Sequence, residues 1–229
     1  MFFNEVKLMK ILVISVHPDD ETLGCGGTIL KHKANGDELY WLILTKANKT
    51  IGFKEEFMIK RKAEIKAVSN LYGFKEIFRS DFITTKLHAI DFNLLIDSIS
   101  KVINGVKPEA IYMNNRTDIH TDHQIAAKAI LSCTKSFRYP FIKKILMYEC
   151  ISETEMAPPF SENMFIPNVY SDISNYIDKK VEIMKLYESE VQNPPLPRSE
   201  KNIRALARFR GASCGVDYAE AFMLVRERF

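Results

Sequence analysis

Residues 11–21 read Ile-Leu-Val-Ile-Ser-Val-His-Pro-Asp-Asp-Glu, a mostly apolar run that ends in a cluster of imidazole and carboxylate side chains. The run at 11–16 is short and rich in Val and Ile, which predicts a strand that is buried on both faces. Strands of this kind occur in parallel sheets that helices cover on both sides. Ligands of such sheets bind beyond the carboxyl ends of the strands, which is where the polar cluster falls. The stretch therefore predicts both the class of fold and the position of a site.

Strand and helix patterns alternate along the rest of the first 150 residues. Further buried-strand patterns lie at 39–44, 76–79, 110–113 and 144–148. Helical patterns lie between the strands, at 28–34, 55–71, 92–103 and 122–132. This alternation predicts an α/β fold, a Rossmann-like and mostly parallel sheet with helices on both faces.

The last third of the chain has a different pattern. We expect a proline-containing loop, a long helix, a rigid break, a helix capped by a serine and a short strand, at 152–168, 173–191, 193–197, 199–210 and 221–225. No repeat or linker is visible. We therefore expect a single domain over residues 1–229, with an α/β core at 1–150 and a C-terminal helical and loop subregion at 151–229.

The composition argues against several classes of function. The chain has 229 residues, 46% of them hydrophobic and 27% charged, which suits one soluble globular domain. A formal net charge of +3 gives no sign of the dense basic face of a nucleic-acid binder. The four cysteines form no C-x-x-C pair, so we expect reduced thiols in a cytoplasmic protein. The apolar run at 11–16 is too short for a signal segment or a membrane span, so we expect no membrane insertion.

The first polar cluster contains three carboxylates and an imidazole within five residues, namely His17, Asp19, Asp20 and Glu21. Catalytic zinc takes imidazole and carboxylate ligands and keeps one position open for water. The same acidic residues would also suit the first turn of the helix that follows. Taken alone, the cluster leaves a metal site and a helix cap equally open.

A glycine-rich segment, Gly-Cys-Gly-Gly at 24–27, follows this cluster. It does not complete the dinucleotide-binding pattern G-x-G-x-x-G, because residue 29 is Ile. The neighbouring acids would also repel a pyrophosphate. We therefore expect these glycines to form a tight turn and to allow close packing, with a phosphate cradle as the minor alternative.

A second polar cluster, Asp-Ile-His-Thr-Asp-His-Gln at 118–124, follows the predicted fourth strand. Thr121 and Gln124 fit a capping box, so a helix would begin here and direct His120 and His123 into one cleft. The two clusters together supply two imidazoles and a carboxylate as metal ligands. They also leave a carboxylate and an imidazole for proton transfer and oxyanion stabilisation, which completes the groups that hydrolysis needs.

These motifs resemble those of the LmbE/PIG-L family of zinc-dependent N-acetyl-sugar deacetylases. The family's opening signature, H-P-D-D-E before a glycine-rich turn, appears at 17–24, and its second signature, H-x-D-H, appears at 120–123. Residues 61–64 resemble the family's R-x-x-E helix, and Asp81 stands where the family often carries a substrate-binding acid. The stretch 197–222 resembles the C-terminal part of sugar-deacetylase members, so the resemblance covers nearly the whole chain.

The resemblance implies a set of metal ligands and two catalytic groups. His17, Asp20 and His123 would bind the metal, which would be zinc in this family, although the ligand types suit iron(II) or another divalent ion equally well. Asp19 would be the general base that deprotonates the attacking water. His120, as an imidazolium, would stabilise the oxyanion.

The resemblance also implies residues that contact the substrate or support the ligands. Arg61 and Asp81 would grip sugar hydroxyls, while Glu21 and Asp122 would orient ligands from behind. One departure is Leu196, because many relatives carry a histidine there, in the pattern P-H-P-R-S. If that histidine touches substrate elsewhere in the family, Leu196 marks a change in the pocket or in specificity.

The implied function is metal-dependent hydrolysis of the N-acetyl group of an N-acetylglucosamine-type sugar or glycoconjugate, a small-molecule partner. Two alternatives stay open: a hydrolase of another amide, such as a sugar nucleotide, and a doubly wound domain that binds a nucleotide or a metal without hydrolysis. The sequence does not fix the oligomeric state, a homo-oligomer included. It also leaves open the roles of four arginines, for which we expect solvated or salt-bridged positions with Arg198 and Arg210 as exceptions: Arg198, Arg204, Arg208 and Arg210.

Overall fold

The computed structural model describes residues 8–229, in which seven strands form one sheet accompanied by six α-helices. The strands are β1 (Lys10–Ser15), β2 (Glu38–Lys46), β3 (Glu76–Ile83), β4 (Ala110–Asn114), β5 (Lys144–Tyr148), β6 (Val169–Asp172) and β7 (Ala219–Glu227). The helices are α1 (Asp20–Asn35), α2 (Glu55–Tyr72), α3 (Phe92–Val106), α4 (Thr121–Ser132), α5 (Ile177–Met184) and α6 (Glu200–Cys214).

The strands are ordered β3-β2-β1-β4-β5-β7-β6. The first five of these are parallel, and β7 runs antiparallel to both β5 and β6. The predicted α/β fold with a mostly parallel sheet is therefore confirmed. The chain passes outward from β1 to β3 and then returns to the other side of β1, so the loops after β1 and β4 diverge. A divergence of this kind forms the ligand crevice of open α/β sheets.

Strand β1 shows why helices cover both faces of the sheet. Ile11 and Val13 pack on the face that is covered by α1, α2, α5 and α6, whereas Leu12 and Ile14 pack on the face covered by α3 and α4. All four side chains are fully buried. A strand with one solvated face would alternate between apolar and polar residues, so the continuous apolar run already required two covering layers.

Helix α1 begins at Asp20, eight residues before the predicted start, and the glycine-rich segment lies inside it. The prediction of a tight turn there is wrong, although Cys25 has a non-helical φ of −143° and kinks the helix. The prediction of close packing is confirmed. A Cβ on Gly24 would lie 2.0 Å from the Tyr148 ring, and a Cβ on Gly27 would lie 2.6 Å from Ile173. The glycines therefore let α1 pack directly against β5 and the C-terminal region.

A long helix was predicted at 173–191, but α5 has only eight residues, because it begins at Ile177 and ends at Met184. Tight turns follow, in which the amide of Tyr187 donates to the carbonyl of Met184. These turns bury the Tyr187 side chain, and its hydroxyl bonds to Glu21. A tertiary contact thus overrides the helical pattern.

Strand β6 was not predicted, since its four residues become a strand only by pairing with β7.

The helix cap at Ser199 was predicted, and its side chain accepts a hydrogen bond from the amide of Asn202. Helix α3 continues to Val106, three residues beyond the predicted end at 103. Among residues 8–229, no helix has the length and apolarity needed to cross a bilayer.

Candidate metal centre and active site

Three ligand-type side chains meet where the loops after β1 and β4 diverge. His17 follows β1, Asp20 is the first residue of α1, and His123 lies in the first turn of α4. His17 Nδ1 lies 3.1 Å from His123 Nε2. Asp20 Oδ2 lies 3.5 Å from His123 Nε2 and 3.9 Å from His17 Nδ1. Tetrahedral zinc with bonds of about 2.1 Å keeps its ligands roughly 3.4 Å apart, so this triangle has the size of a zinc site.

The other nitrogen of each imidazole faces a carboxylate. His17 Nε2 lies 3.3 Å from Asp122 Oδ2, and His123 Nδ1 lies 2.8 Å from Asp118 Oδ2. With protons on these outer nitrogens, the lone pairs of the inner nitrogens face each other across 3.1 Å. A shared proton or a divalent metal ion between the two nitrogens satisfies this arrangement, so the donor set fits a metal ion. Carboxylates that orient metal-binding imidazoles in this way are a general feature of such sites.

Charges around the triangle reinforce this arrangement. Burial opposes ionisation of Asp20, but His123 and His17 outweigh it and lower the pKa of Asp20 to about 2. Burial likewise opposes protonation of His123, yet the carboxylates of Asp20 and Asp118 raise its pKa to about 9. The site therefore attracts positive charge at the point where the three ligand atoms converge. Asp118 was not singled out from the sequence, although it lies two residues before His120 within the second cluster.

Asp19 lies beside the triangle with its side chain buried. Its Oδ2 accepts a hydrogen bond of 2.8 Å from Arg198 Nη1. Burial raises the pKa of Asp19 well above its ordinary value, while the Arg198 guanidinium opposes the shift. Its backbone has a φ of 130°, in the left-handed region that residues with a side chain rarely adopt. The carboxyl that the resemblance assigns as general base is thus held in an unusual backbone conformation.

His120 is the N-cap of α4, whereas the capping-box pattern predicted Thr121 in this role. Its Nδ1 accepts a hydrogen bond of 3.1 Å from the amide of Asp122, so the ring proton belongs on Nε2. Burial, followed by the nearby imidazoles of His17 and His123, lowers the pKa of His120 to about 4. A pKa this low favours a neutral imidazole at pH 7, in contrast to the imidazolium that the resemblance implies. Such a ring still donates a hydrogen bond through Nε2.

Glu21 is fully buried, and the hydrogen bonds of its side chain go to groups other than the side chains of the three candidate ligands, whereas the resemblance implies that it orients one of them. One oxygen accepts a hydrogen bond of 3.0 Å from the amide of Asp19. The other accepts from Tyr187 at 2.8 Å and from Thr22 at 2.7 Å. Burial raises the pKa of Glu21 to about 7. Asp122, by contrast, lies against His17 and also accepts hydrogen bonds from the amides of Thr85 and Leu87.

The two predicted substrate-binding residues have different surroundings. Arg61 lines the cleft, but its guanidinium bonds to protein groups: the Pro18 carbonyl at 2.9 Å, the Ser189 hydroxyl at 2.7 Å and the Glu190 carboxylate. Asp81 lies within β3 rather than after it, on the outer rim of the same cleft. Its side chain is 89% exposed and pairs with Lys46 at 2.6 Å.

The cleft has a volume of about 540 Å³ and reaches from the metal triangle across the ends of β2 and β3 to the start of α2. Its inner end is polar and includes His17, Asp19 and His120. Its outer end carries an apolar wall made of Phe53, Phe57, Met58 and Ile59, which we call the outer wall. A cleft of this volume is typical of small-molecule sites.

Of the four arginines left open by the sequence, Arg198 belongs to the site. Besides Asp19, it contacts the Glu190 carboxylate at 2.9 Å and the Glu153 carboxylate at 3.2 Å. The other three form ion pairs elsewhere: Arg204 with Asp178 and Glu200, Arg208 with Asp217, and Arg210 with Glu149. Leu196 is 51% exposed and does not line the cleft.

Known proteins that are similar to this chain include deacetylases of the kind that the two motifs suggest. The diacetylchitobiose deacetylase of Thermococcus kodakarensis is 26% identical over 230 residues, which cover 97% of this chain and 85% of that protein. The solved structure of the N,N'-diacetylchitobiose deacetylase from Pyrococcus horikoshii has a TM-score of 0.75 and 21% identity, and the match covers 95% of this chain and 84% of that one.

A second solved structure with a similar fold belongs to a protein with a different reaction. GalB, the 4-carboxy-2-hydroxymuconate hydratase of Pseudomonas putida, has a TM-score of 0.72 and 17% identity, and the match covers 96% of this chain and 98% of that one. Likeness of fold alone therefore does not identify the reaction, and the motifs carry more information. The family model described as PIG-L, GlcNAc-PI de-N-acetylase, matches residues 12–134, more than half of the chain and both polar clusters. The chain belongs to the PIG-L family.

Proposed function

We propose that this protein is a metal-dependent N-deacetylase that hydrolyses the acetamide of an N-acetylglucosamine-type sugar or glycoconjugate and releases acetate and a free amine. The observation that carries the proposal is the pair of imidazole nitrogens that face each other across 3.1 Å beside the Asp20 carboxylate. A buried carboxyl, Asp19, and an imidazole N–H on His120 lie next to them. The deacetylases among the relatives support the choice of an acetamide.

His17, Asp20 and His123 would hold the metal, which we propose to be zinc because it accepts this ligand set in tetrahedral geometry. Iron(II) suits the same donors and is the alternative that metal analysis must test. When bound, such an ion acts as a Lewis acid that acidifies water and polarises an amide carbonyl.

The chain's own residues would move the protons of the reaction. Asp19 accepts a proton from the water that attacks the acetamide carbon. His120 donates a hydrogen bond from Nε2 to the carbonyl oxygen as negative charge develops on it. Asp19 then returns the proton to the nitrogen, so the amine leaves as a neutral group. With its pKa lowered to about 4, the His120 imidazole would stabilise this charge as a neutral hydrogen-bond donor rather than as a cation.

Two features favour hydrolysis over nucleotide binding without catalysis. Gly24 to Gly27 are buried inside α1, so their backbone is not exposed as a phosphate cradle. The first turn of that helix, which would otherwise attract an anion, contains Asp20 and Glu21.

We also propose that residues 8–229 act as one catalytic domain. Strands β6 and β7 extend the sheet that begins with β1, and Arg198, from the C-terminal region, reaches the Asp19 carboxylate. Removal of the region from residue 151 onward would expose the edge of β5 and remove this contact.

The test is primary-amine release from a panel of acetamides: free N-acetylglucosamine, its methyl glycoside, N,N'-diacetylchitobiose and a sugar nucleotide that carries N-acetylglucosamine. The purified protein is assayed as isolated, after chelation, and after reconstitution with zinc or with iron(II) under anaerobic conditions. Metal content per chain is measured in parallel. Asp19→Asn serves as the matched control, because it keeps the shape of the side chain and removes the base.

We expect amine release that chelation abolishes, that one equivalent of metal restores and that Asp19→Asn lacks. One bound metal per chain without amine release from any acetamide would leave a metal protein and refute the deacetylase. Amine release that resists chelation, from a protein without metal, would refute the metal centre.

A further inference from the structure

The peptide bond between Pro18 and Asp19 is held from both sides. On one side, Arg61 Nη1 donates to the Pro18 carbonyl oxygen at 2.9 Å. On the other side, the Asp19 amide donates to Glu21 Oε2 at 3.0 Å. The carbonyl and the amide belong to one planar unit, so these two hydrogen bonds together fix its rotation.

This peptide precedes the strained residue of the site. Asp19 has φ of 130° and ψ of −28°, and its side chain is buried against Arg198. Such a conformation persists only where the surroundings impose it, and it is commonly found at functional sites. Rotation of the peptide toward an ordinary negative φ would turn the Cα–Cβ bond of Asp19 and redirect its carboxylate.

Both groups that hold the peptide are themselves fixed, and Tyr187 connects them. The Tyr187 hydroxyl donates to Glu21 Oε1 at 2.8 Å, while its ring lies 5.4 Å from the Arg61 guanidinium carbon. The Phe57 ring lies 5.2 Å from that carbon, and the Glu190 carboxylate joins Arg61 to Arg198. These contacts restrain both of the groups that hold the peptide.

We propose that Arg61 and Glu21 clamp the Pro18–Asp19 peptide, and that their part in the reaction is to position the Asp19 carboxylate. The proposal rests on the proposed function, in which Asp19 is the base. It gives Arg61 a positioning role in place of the sugar-gripping role implied by resemblance. In the same proposal, Glu21 orients the backbone of Asp19 rather than a metal ligand.

The test compares four variants in kcat, KM and metal content. Glu21→Ala removes the acceptor of the Asp19 amide, whereas Glu21→Gln keeps an oxygen that can accept it. Arg61→Met keeps an apolar stem between the two rings and removes the donors. Arg210→Met is the matched control, since Arg210 is similarly shielded and ion-paired, to Glu149, but lies outside the cleft lining.

We expect Glu21→Ala and Arg61→Met to lower kcat about 100-fold, because small misplacements of a catalytic group have effects of this size. KM and bound metal stay near the unmodified values, Glu21→Gln recovers most of kcat, and Arg210→Met changes neither constant. An Arg61 that grips the substrate would instead raise KM while kcat stays close to normal, and that result would overturn the clamp.

A double-mutant cycle with Asp19→Ala tests whether the effect passes through Asp19. In that background, Glu21→Ala and Arg61→Met should have no further effect on the residual rate. A full additional loss would overturn the proposal.

A crystal structure of Glu21→Ala supplies a readout that does not depend on turnover. We expect the φ of Asp19 to become negative and its carboxylate to leave Arg198, and we expect both to stay in place in Glu21→Gln. An unchanged Asp19 in Glu21→Ala would refute the clamp. A relaxed Asp19 in a protein whose unmodified form hydrolyses no acetamide would instead refute the proposed function and leave the clamp standing.

Discussion

The two ends of the cleft differ in how firmly their residues are held. At the inner end, Asp19, Asp20 and His123 are almost fully buried and each has several hydrogen-bonded or ionic partners. At the outer end, Asp81 is 89% exposed and Ile59 is 60% exposed. An exposed ion pair such as Lys46–Asp81 contributes about 0–1 kcal/mol, whereas breaking a buried pair costs about 3–5 kcal/mol. The side chains of the inner end are thus held in one arrangement, as a fixed set of reacting groups requires. The side chains of the outer end are free to change conformation when a substrate binds.

The largest effect should come from the buried carboxyl at the inner end. Asp19→Ala removes the group that accepts and returns the proton, and we expect kcat to fall roughly 100- to 10,000-fold. Bound metal should stay near one equivalent, because Asp19 is not one of the three converging ligands. Amine release and metal content in the same preparation check this prediction. Loss of the metal together with activity would place Asp19 among the ligands instead.

The next effect should come from the imidazole on the other side of the reacting group. His120→Ala removes the Nε2 donor to the developing oxyanion, which typically lowers kcat roughly 100- to 1,000-fold. His88→Ala is the matched control, since His88 is exposed and does not line the cleft. The measurement is kcat of both variants and of the unmodified protein at saturating substrate. If the two variants have equal kcat, His120 is not the oxyanion donor.

A smaller effect should come from a carboxylate behind the metal triangle. Asp118→Asn weakens the hydrogen bond that orients His123, and we expect metal affinity to fall roughly 10- to 100-fold. With metal in excess, kcat should return close to its normal value, because the ligands themselves are intact. Competition with a chromogenic chelator measures the affinity. Asp178→Asn, on an exposed pair with Arg204, controls for loss of charge, and equal affinity in both variants would exclude the orienting role.

The sequence predicted that the polar residues of the inner end lie close together, because they fall in two short motifs. His17 to Glu21 and His120 to His123 each follow a buried strand, and the carboxyl ends of parallel strands meet at one edge. The α/β fold followed from the same alternation. The motifs could not predict the protonation state of His120. Its pKa depends on burial and on the nearby imidazoles of His17 and His123, which only the fold determines.

The sequence failed where pairing or contact over long separations decides the structure. Strand β6 forms by hydrogen bonding to β7. Helix α5 ends at Met184, three residues before the buried Tyr187. Arg198 lies 179 residues from Asp19 in sequence, so only the fold reveals their contact. The outer wall was missed for a simpler reason: Phe57, Met58 and Ile59 fall within the helix predicted at 55–71, whose apolar residues are expected to face the core, and Phe53 lies just before that helix.

The smallest effect should appear at the outer wall, and only for some substrates. Ile59→Ser or Phe53→Ser removes apolar surface from the outer wall, where we expect a group attached to the sugar to lie. We expect the ratio of kcat/KM between a phenyl and a methyl glycoside of N-acetylglucosamine to fall roughly 10-fold, since modest apolar contacts discriminate by this amount. Leu94→Ser is the matched control, because Leu94 is 58% exposed on α3 and does not line the cleft. A ratio that is the same in all three variants would show that substrates do not reach the outer wall. A fall in kcat/KM by the same factor for both glycosides would show that the wall supports the inner end, and the contrast between the two ends would then be lost.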